Sequence, residues 1–316
     1  MAQISVDIDR GPTEPERRPP GKHPNTCPQC ASHYRDDELA ANLRVCRQCG
    51  HHFAVSARER IAQLCDAGSF VEAAADLRSA DPLAFIDLKP YADRLTAAEL
   101  ATGLGDAIVV GTAKIQGHGV ALAVMDFAFL GGSMGSVVGE KFAIAADLAV
   151  RDEVPLVAVA ASGGARMQEN ILALMQMAKT VMAVDQVRDA GLPFISICAH
   201  PTTGGVIASF AALGDVALAE PGALRSFAGP RVVQQTTRET LPTDFGRAEA
   251  QVRLGHFDQV VPRAELVETL RRLLALFAPG AGDEVAAAPE PSARRSVVDR
   301  LRALLFGSRR ADGQGL

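Results

Sequence analysis

The chain has 316 residues, 48% of them hydrophobic and 22% charged, with a formal net charge of −5 at pH 7 and a pI near 5.8. That length buries a full core in one large domain or two smaller ones, and the acidic balance argues against a general binder of nucleic acid or membrane surface. No uninterrupted apolar run is long enough to cross a bilayer, and the N-terminal stretch lacks the apolar centre of a secretory signal, so a cytoplasmic location is expected.

Residues 1–26 are rich in Pro, Arg and Glu and read as a disordered arm. Residues 27–52 follow as a compact cysteine module, CPQC and CRQC separated by fifteen residues. Cys27, Cys30, Cys46 and Cys49 at this spacing let four thiolates converge tetrahedrally on one Zn²⁺. A closed shell of four cysteines keeps no open coordination position, so the zinc is expected to be structural. His51 and His52 follow directly and are alternative ligands of lesser weight. Arg35, Arg44, Arg47, His51 and His52 make the ribbon locally basic. Such a face suits phosphates of RNA, DNA or a nucleotide cofactor, or it simply keeps the ribbon solvated. Cys65 and Cys198 sit in apolar surroundings and are expected to be buried.

A helix is expected over 56–67, behind Ser56 as its cap. Residues 81–101 read as a Pro-broken connection. From 106 the pattern AIVVGTAKI, QGHG, VALAVMDFAF predicts a β-hairpin. Three times after that an apolar strand runs into paired glycines and then a helical pattern, at Gly131-Gly132, Gly163-Gly164 and Gly204-Gly205. Strands alternating with helices at this interval imply stacked α/β units. An apolar strand around DVALAEPGALRSFAG, a helix at VVQQTTRETL and a last helix near 264–277 complete a domain over 53–279. Residues 280–316 are a linker and a basic amphipathic tail, whose ordinary reading is a solvated helix and whose alternative is a membrane-surface or partner contact.

Glycines have no Cβ to screen their backbone N–H groups, and at a helix start those groups lack intrahelical partners. Two convergent amides there make an oxyanion hole, each donor worth roughly 10²–10³ in rate. The plain alternative is that the glycines only permit tight turns. Ser162, Thr202 and Thr203 flank the pairs. Arg166 and Lys179 are candidates to hold a phosphate or carboxylate, and Asp126, Glu169 and Asp215 are the nearby acids. Met167, Met175 and Met177 read as helix-core positions. There is no G-x-S-x-G elbow and no Walker A motif. The chain is equipped to stabilise an oxyanion and supplies no evident strong base.

The segments CPQC…CRQCGHH, FAFLGGSMGSVVGEKF, ASGGARMQE, LMQMAKT, HPTTGGVIASFAALGD and FAGPRVVQQTTRETLP together resemble the β subunit of the bacterial acetyl-coenzyme A carboxylase carboxyltransferase, over about residues 27–275. The absence of Trp, with HPNT before the first cysteine, departs from that family's pattern and bears on how the ribbon packs. The resemblance implies a crotonase-like (ClpP/crotonase) spiral of ββα units. It implies transfer of carboxyl from carboxybiotin, on a biotin carboxyl carrier protein, to acetyl-CoA, giving malonyl-CoA for fatty acid synthesis. Two oxyanions then need holes. Gly204 and Gly205 are the first choice for one, with Gly163 and Gly164 shaping the same cleft and Gly131, Gly132, Arg166 and Thr203 as further cofactor contacts. A carboxyltransferase α subunit would supply the second hole, in an α2β2 assembly that works with biotin carboxylase. Biotin's own nitrogen would take the methyl proton, and the ribbon would cap the cleft. The competing expectations are a carboxyltransferase for another acyl-CoA such as propionyl-CoA, and a zinc-ribbon regulator that binds nucleic acid.

Overall fold

The structure, a computed structural model, describes residues 25–277. Nearly all of the expected arm, and the linker and tail from 278 onward, lie outside the described residues. The ribbon comes first and holds one short helix, α1 (Asp36–Ala41). Its two knuckles are built alike. Cys27 N–H donates to Ser32 O and Cys46 N–H to His51 O, both at 2.8 Å, and short bridges pair Thr26 with His33 and Val45 with His52. The helix α2 (Ala57–Leu64) follows, with Ser56 and Glu59 forming a capping box.

Strand β1 (Val71–Ala73) leads to α3 (Tyr91–Thr102), which corrects the expectation of an irregular connection over 81–101. Pro90 at the start and Gly103 at φ +69° at the end were its signals. The expected hairpin is β2 (Ile108–Ile115) and β3 (His118–Met125), closed by Gln116 and Gly117. The chain then alternates through α4 (Ser136–Asp152), β4 (Leu156–Ser162), α5 (Ile171–Asp189), β5 (Phe194–Thr203) and the short α6 (Gly204–Ile207). The single strand expected after Gly214 is two, β6 (Val216–Ala219) and β7 (Arg225–Ser226), because Glu220-Pro221-Gly222 breaks the run. Helices α7 (Pro230–Thr237) and α8 (Ala248–Arg253), strand β8 (Gln259–Val260) and helix α9 (Leu266–Leu276) finish the described chain.

The strands form one mixed sheet in the order β1-β2-β3-β4-β5-β6-β8, with β7 added beside β5. Pairing is antiparallel through β3 and parallel from β3 onward. Parallel strands covered on both faces read as continuous apolar runs, and β4 (LVAVAAS) is buried at every residue. Helices α4 and α5 pack on each other and on the sheet, while α2 and α9 contact each other and also cover β2 and β3. The carboxyl ends of β3, β4 and β5 lie side by side, which is where open parallel sheets present ligand sites.

Candidate active site

The three Gly-Gly turns, far apart in sequence, meet at one place. Gly163 N–H donates to Gly131 O at 2.9 Å, joining the first and second turns. A Cβ on Gly204 would stand 3.0 Å from Gly164 Cα, so the second and third turns are in backbone contact. Ser162 stitches them: its Oγ donates to Gly132 O at 2.6 Å and accepts from Gly164 N–H at 2.9 Å. Thr203 Oγ1 donates to Ser162 O at 3.2 Å, which makes it a brace across two strand ends.

Only Gly204-Gly205 opens a helix directly. Gly131 and Gly132 stand at φ +67° and +63° in a short 3-10 turn ahead of α4, and Gly164 at φ +116° precedes another ahead of α5. Left-handed φ values interrupt a right-handed helix, so these two pairs shape turns, and Gly204, itself at φ +58°, is likewise a turn residue at the mouth of α6. Four of the six glycine amides are already used. Gly132 donates to Phe129 O, Gly163 to Gly131 O, Gly164 to Ser162 Oγ and Gly204 to Phe227 O, all within 3.0 Å. Gly204, a first choice as an oxyanion donor, therefore has its N–H engaged. None of these bonds uses the N–H of Gly131 or Gly205. Gly205 is the second residue of α6, where helix geometry provides no intrahelical acceptor.

Arg166 does not face a ligand. It is 0% exposed, and its guanidinium donates to both carboxylate oxygens of Asp106, to Tyr91 OH and to Ser133 O. A guanidinium in a dry interior must satisfy its five N–H donors internally. Burial acts to lower its pKa, and the hydrogen bonds and charge of Asp106 more than reverse that. Glu169, beside it, accepts from Tyr91 OH at 2.7 Å and from Ser136 N–H at 2.6 Å, capping α4. This cluster locks the turn before α4 to the turn before α5.

The other expected acids and bases are also structural. Asp126 accepts from the amides of Ala57 and Ala128. Asp215 accepts from Phe194 N–H at the opposite end of the sheet. Lys179 pairs with Glu140 on α4 at 2.7 Å. Met167 and Met175 are exposed, contrary to their reading as core, while Met177 is half-buried beside Gly205.

A cleft of about 350 Å³ opens between the ribbon and the ends of β3–β5, lined by His52, Phe53, Arg60, Met125, Ala161 and His200 among others. Its back wall is an ion cluster absent from the sequence reading. Glu220 accepts from Arg60 Nη2 at 2.6 Å and from Arg263 Nη2 at 2.7 Å. Arg263 also donates to Leu43 O and Phe53 O, and its backbone N–H to His52 Nε2, so it fastens the ribbon to the body. Burial would raise the Glu220 carboxyl, but the Arg263 hydrogen bonds and both arginine charges bring it down to about 2. Two guanidiniums against one carboxylate leave excess positive charge. Among the described residues, Arg60 Nη1 and His52 Nδ1 are buried without a partner, so the wall offers donor capacity to an acceptor-bearing ligand.

Residues 54–251 match the carboxyl transferase domain family. The acetyl-coenzyme A carboxylase carboxyl transferase subunit beta of a Thermus thermophilus strain is 53% identical over 254 residues, covering 80% of this chain and 89% of that one. The protein of the same name from a Synechococcus strain is 48% identical over 280 residues, covering 87% and 96%. The chain belongs to this family. Among solved structures, transcarboxylase 12S with methylmalonyl-coenzyme A bound is similar at TM-score 0.61 and 30% identity; the match takes in 76% of this chain and 44% of that much longer one. A Pseudomonas malonate decarboxylase hetero-tetramer in complex with malonate is similar at TM-score 0.58 and 27% identity, covering 82% and 92%. The expected fold and the expected carboxyl transfer both stand: this is a carboxyltransferase β-subunit fold, with a mixed α/β sheet behind an N-terminal cysteine cluster.

In this β-subunit chain the Sγ atoms of Cys27, Cys30, Cys46 and Cys49 all lie within 4.8 Å of one another. Cys27–Cys49 and Cys30–Cys46 are each 3.5 Å apart, close to the roughly 3.8 Å edge of a tetrahedron with zinc–sulfur bonds. Burial would raise the Cys46 thiol, yet hydrogen bonds from Tyr34 OH and the Cys49 and Gln48 amides lower it to about 6, whereas at Cys49 the bond from the His51 amide is outweighed by burial and the neighbouring sulfurs, which push it up to about 12. His51 and His52 lie outside this cluster; His52 serves the seam with Arg263. Arg35 pairs with Asp37, and Arg44 with Asp36 and Glu59, so much of the expected basic face is internally neutralised. Cys198 is buried and Cys65 half-buried.

Proposed function

We propose that this chain is the β half of a two-subunit carboxyltransferase that makes malonyl-CoA from acetyl-CoA in the cytoplasm. In the reaction the carboxyl–nitrogen bond of carboxybiotin breaks, a carbon–carbon bond forms at the acetyl methyl, and the methyl proton ends on the ureido nitrogen. The chain then needs no base of its own, in keeping with acids that are all engaged around the turns. What it contributes is electrostatic: the Gly205 and Gly131 amides are offered to an oxygen that gains negative charge, held in place by the Ser162 and Arg166 bonding. The convergence of three Gly-Gly turns at the ends of β3, β4 and β5 is the observation that carries this reading.

The cleft under the ribbon is assigned to the thioester substrate, with Arg60 Nη1 as a donor to it. The four cysteines hold one structural Zn²⁺, which keeps the ribbon folded over that cleft. The second oxyanion hole comes from an α subunit of like fold in an α2β2 assembly. Biotin reaches the site on its carrier protein, recharged by biotin carboxylase. The malonate decarboxylase relative, solved as an MdcD–MdcE hetero-dimer, supports pairing of two different chains.

The test is malonyl-CoA-dependent carboxylation of biocytin, run with this chain alone and with an α subunit. Activity only in the mixture is the expected result. Silence in both, with that α subunit active beside another β subunit, refutes the assignment. A higher rate with methylmalonyl-CoA than with malonyl-CoA moves the acceptor to propionyl-CoA.

A further inference from the structure

A guanidinium drawn into a protein is ordinarily met by a carboxylate. Arg60 and Arg263 meet Glu220 in this way, and Arg166 meets Asp106. Arg225, on β7, does not. It is half-buried, and among the described residues no carboxylate pairs with it. Its one side-chain hydrogen bond runs from Nη1 to Gln251 Oε1 at 3.2 Å. The guanidinium stands over the buried ring of Phe257, 5.2 Å from its centroid, which holds its plane in place. Its Nε is buried without an acceptor. Burial lowers the Arg225 pKa, yet an arginine starts so high that it keeps its charge at neutral pH. An unmet donor on a buried charged group is costly, so its presence asks for a ligand.

Arg225 lines a second cavity, of about 460 Å³, within the size range of small-molecule sites. Much of the remaining wall is apolar: Ile207 from α6, Phe227 just after β7, Val233 from α7 and Phe245 ahead of α8. No Asp, Glu or Lys lines the cavity, and it shares no lining residue with the cleft under the ribbon. It lies behind the third glycine turn. Ile207 ends the helix that Gly204 opens, Gly204 N–H donates to Phe227 O at 3.0 Å, and Arg225 pairs with Thr202 in the sheet.

We propose that this cavity binds a free carboxylic acid with a short apolar chain, its carboxylate on Arg225 and its chain against Ile207, Val233 and Phe245. The chemistry of the walls selects such a ligand. One edge of a guanidinium presents Nε and Nη2 as parallel donors at the spacing of two carboxylate oxygens. Gln251 takes Nη1, on the other edge, and leaves the first edge open. A single guanidinium without lysine suits a monoanion better than a phosphate. Aliphatic and aromatic walls favour an apolar body over a bare ion, and a neutral apolar ligand would leave Nε unmet. The site lies outside the substrate cleft, so this proposal stands or falls apart from the carboxyl-transfer reading.

Calorimetry on the full wild-type chain, alone and with an α subunit, tests the site with octanoate, octanol and inorganic phosphate as probes. The chain has no Trp, so Phe227→Trp adds a single indole beside the cavity and gives a second, fluorescent readout. Saturable binding of one octanoate per chain is expected, with octanol at least about tenfold weaker and phosphate not competing. Arg225→Gln is expected to weaken octanoate about 10–100-fold, the worth of a hydrogen bond to a charged group. Arg225→Lys, which keeps the charge and loses the fork, is expected to fall between that variant and wild type. Thermal melts check that the variants fold; if Arg225→Gln does not, Arg225→Lys and the octanoate–octanol comparison on wild type decide. Equal binding of octanol and octanoate overturns the proposal, as does a folded Arg225→Gln chain that binds like wild type, or no octanoate binding up to about 10 mM. Displacement of octanoate by malonyl-CoA assigns the cavity to the substrate, and loss of binding on adding α assigns it to the subunit contact; either result also overturns it.

Discussion

Comparing Gly132→Ala with Gly131→Ala separates close packing of the turns from backbone strain. Both glycines hold left-handed φ, +63° and +67°, so alanine costs either turn about 1–2 kcal/mol. Their surroundings differ. Nothing lies within 4 Å of a Cβ added at Gly131, whereas one at Gly132 would overlap the Ala161 carbonyl oxygen and sit 3.1 Å from Ala161 C and Ser162 Cα. Relieving that overlap takes a shift of about 1 Å between the first turn and the end of β4. The shift strains the 2.6 Å bond from Ser162 Oγ to Gly132 O and carries Gly131 away from Gly163. A misplacement of that size costs about 100-fold in rate. Gly131→Ala, strained but unobstructed, should stay within about tenfold of wild type. The assay is biocytin carboxylation with the α subunit present, with thermal melts to confirm that both variants fold. Equal rates in two folded variants would refute the view that close contact between the turns sets the site.

Glu220→Gln leaves the buried guanidiniums of Arg60 and Arg263 without a counter-charge, and should lower stability by about 3–5 kcal/mol in urea denaturation and expose the ribbon to chelators. The folded-state pKa of Glu220 is depressed to about 2 from an ordinary 4.5, so its contribution, about 3 kcal/mol, is complete above pH 4.5 and is lost as pH falls toward 2. The wild-type advantage over Glu220→Gln should therefore narrow only below pH 4.5. Arg166→Lys keeps the charge but not the fork that spans Asp106, Tyr91 and Ser133; kcat should fall about 10–100-fold with KM little changed, as expected of a positioning residue. Cys27→Ser should reduce bound zinc from about one per chain to a small fraction, measured by atomic absorption.

What the sequence made legible was local. The cysteine spacing, the hairpin around Gln116-Gly117 and the strand runs ending in paired glycines each carry their signal within about two dozen residues, and each appears in the structure. Helix α3 was also local but was hidden by the prolines before it. The roles of single residues were less legible, because they depend on contacts across the fold. Arg166 looks like an anion ligand in ASGGARMQE and becomes a buried brace only because Asp106 and Tyr91 arrive from distant segments. Arg263 reaches the ribbon across more than 200 residues of sequence, and no periodicity announces that. Met167 and Met175 resembled core positions because the residues around them are apolar, and nothing in one chain's pattern says which apolar side chains its own fold covers.

The glycine pairs have two demands on them, and the demands compete for the same N–H groups. Packing three turns this tightly engages four of the six amides, at Gly132, Gly163, Gly164 and Gly204. Those four fix the geometry. The two not used by these bonds, at Gly131 and Gly205, lie in the first and third turns. An oxyanion hole takes about two well-placed donors, so in the proposed reaction the pairs of this chain would provide for one developing charge. Carboxyl transfer from carboxybiotin to a thioester develops two, on the ureido oxygen and on the thioester oxygen. A β chain built this way is rigid and incomplete for the same physical reason. The turns cannot release more amides without losing the contact that aligns them, and under the proposed function the second set of donors would come from another polypeptide.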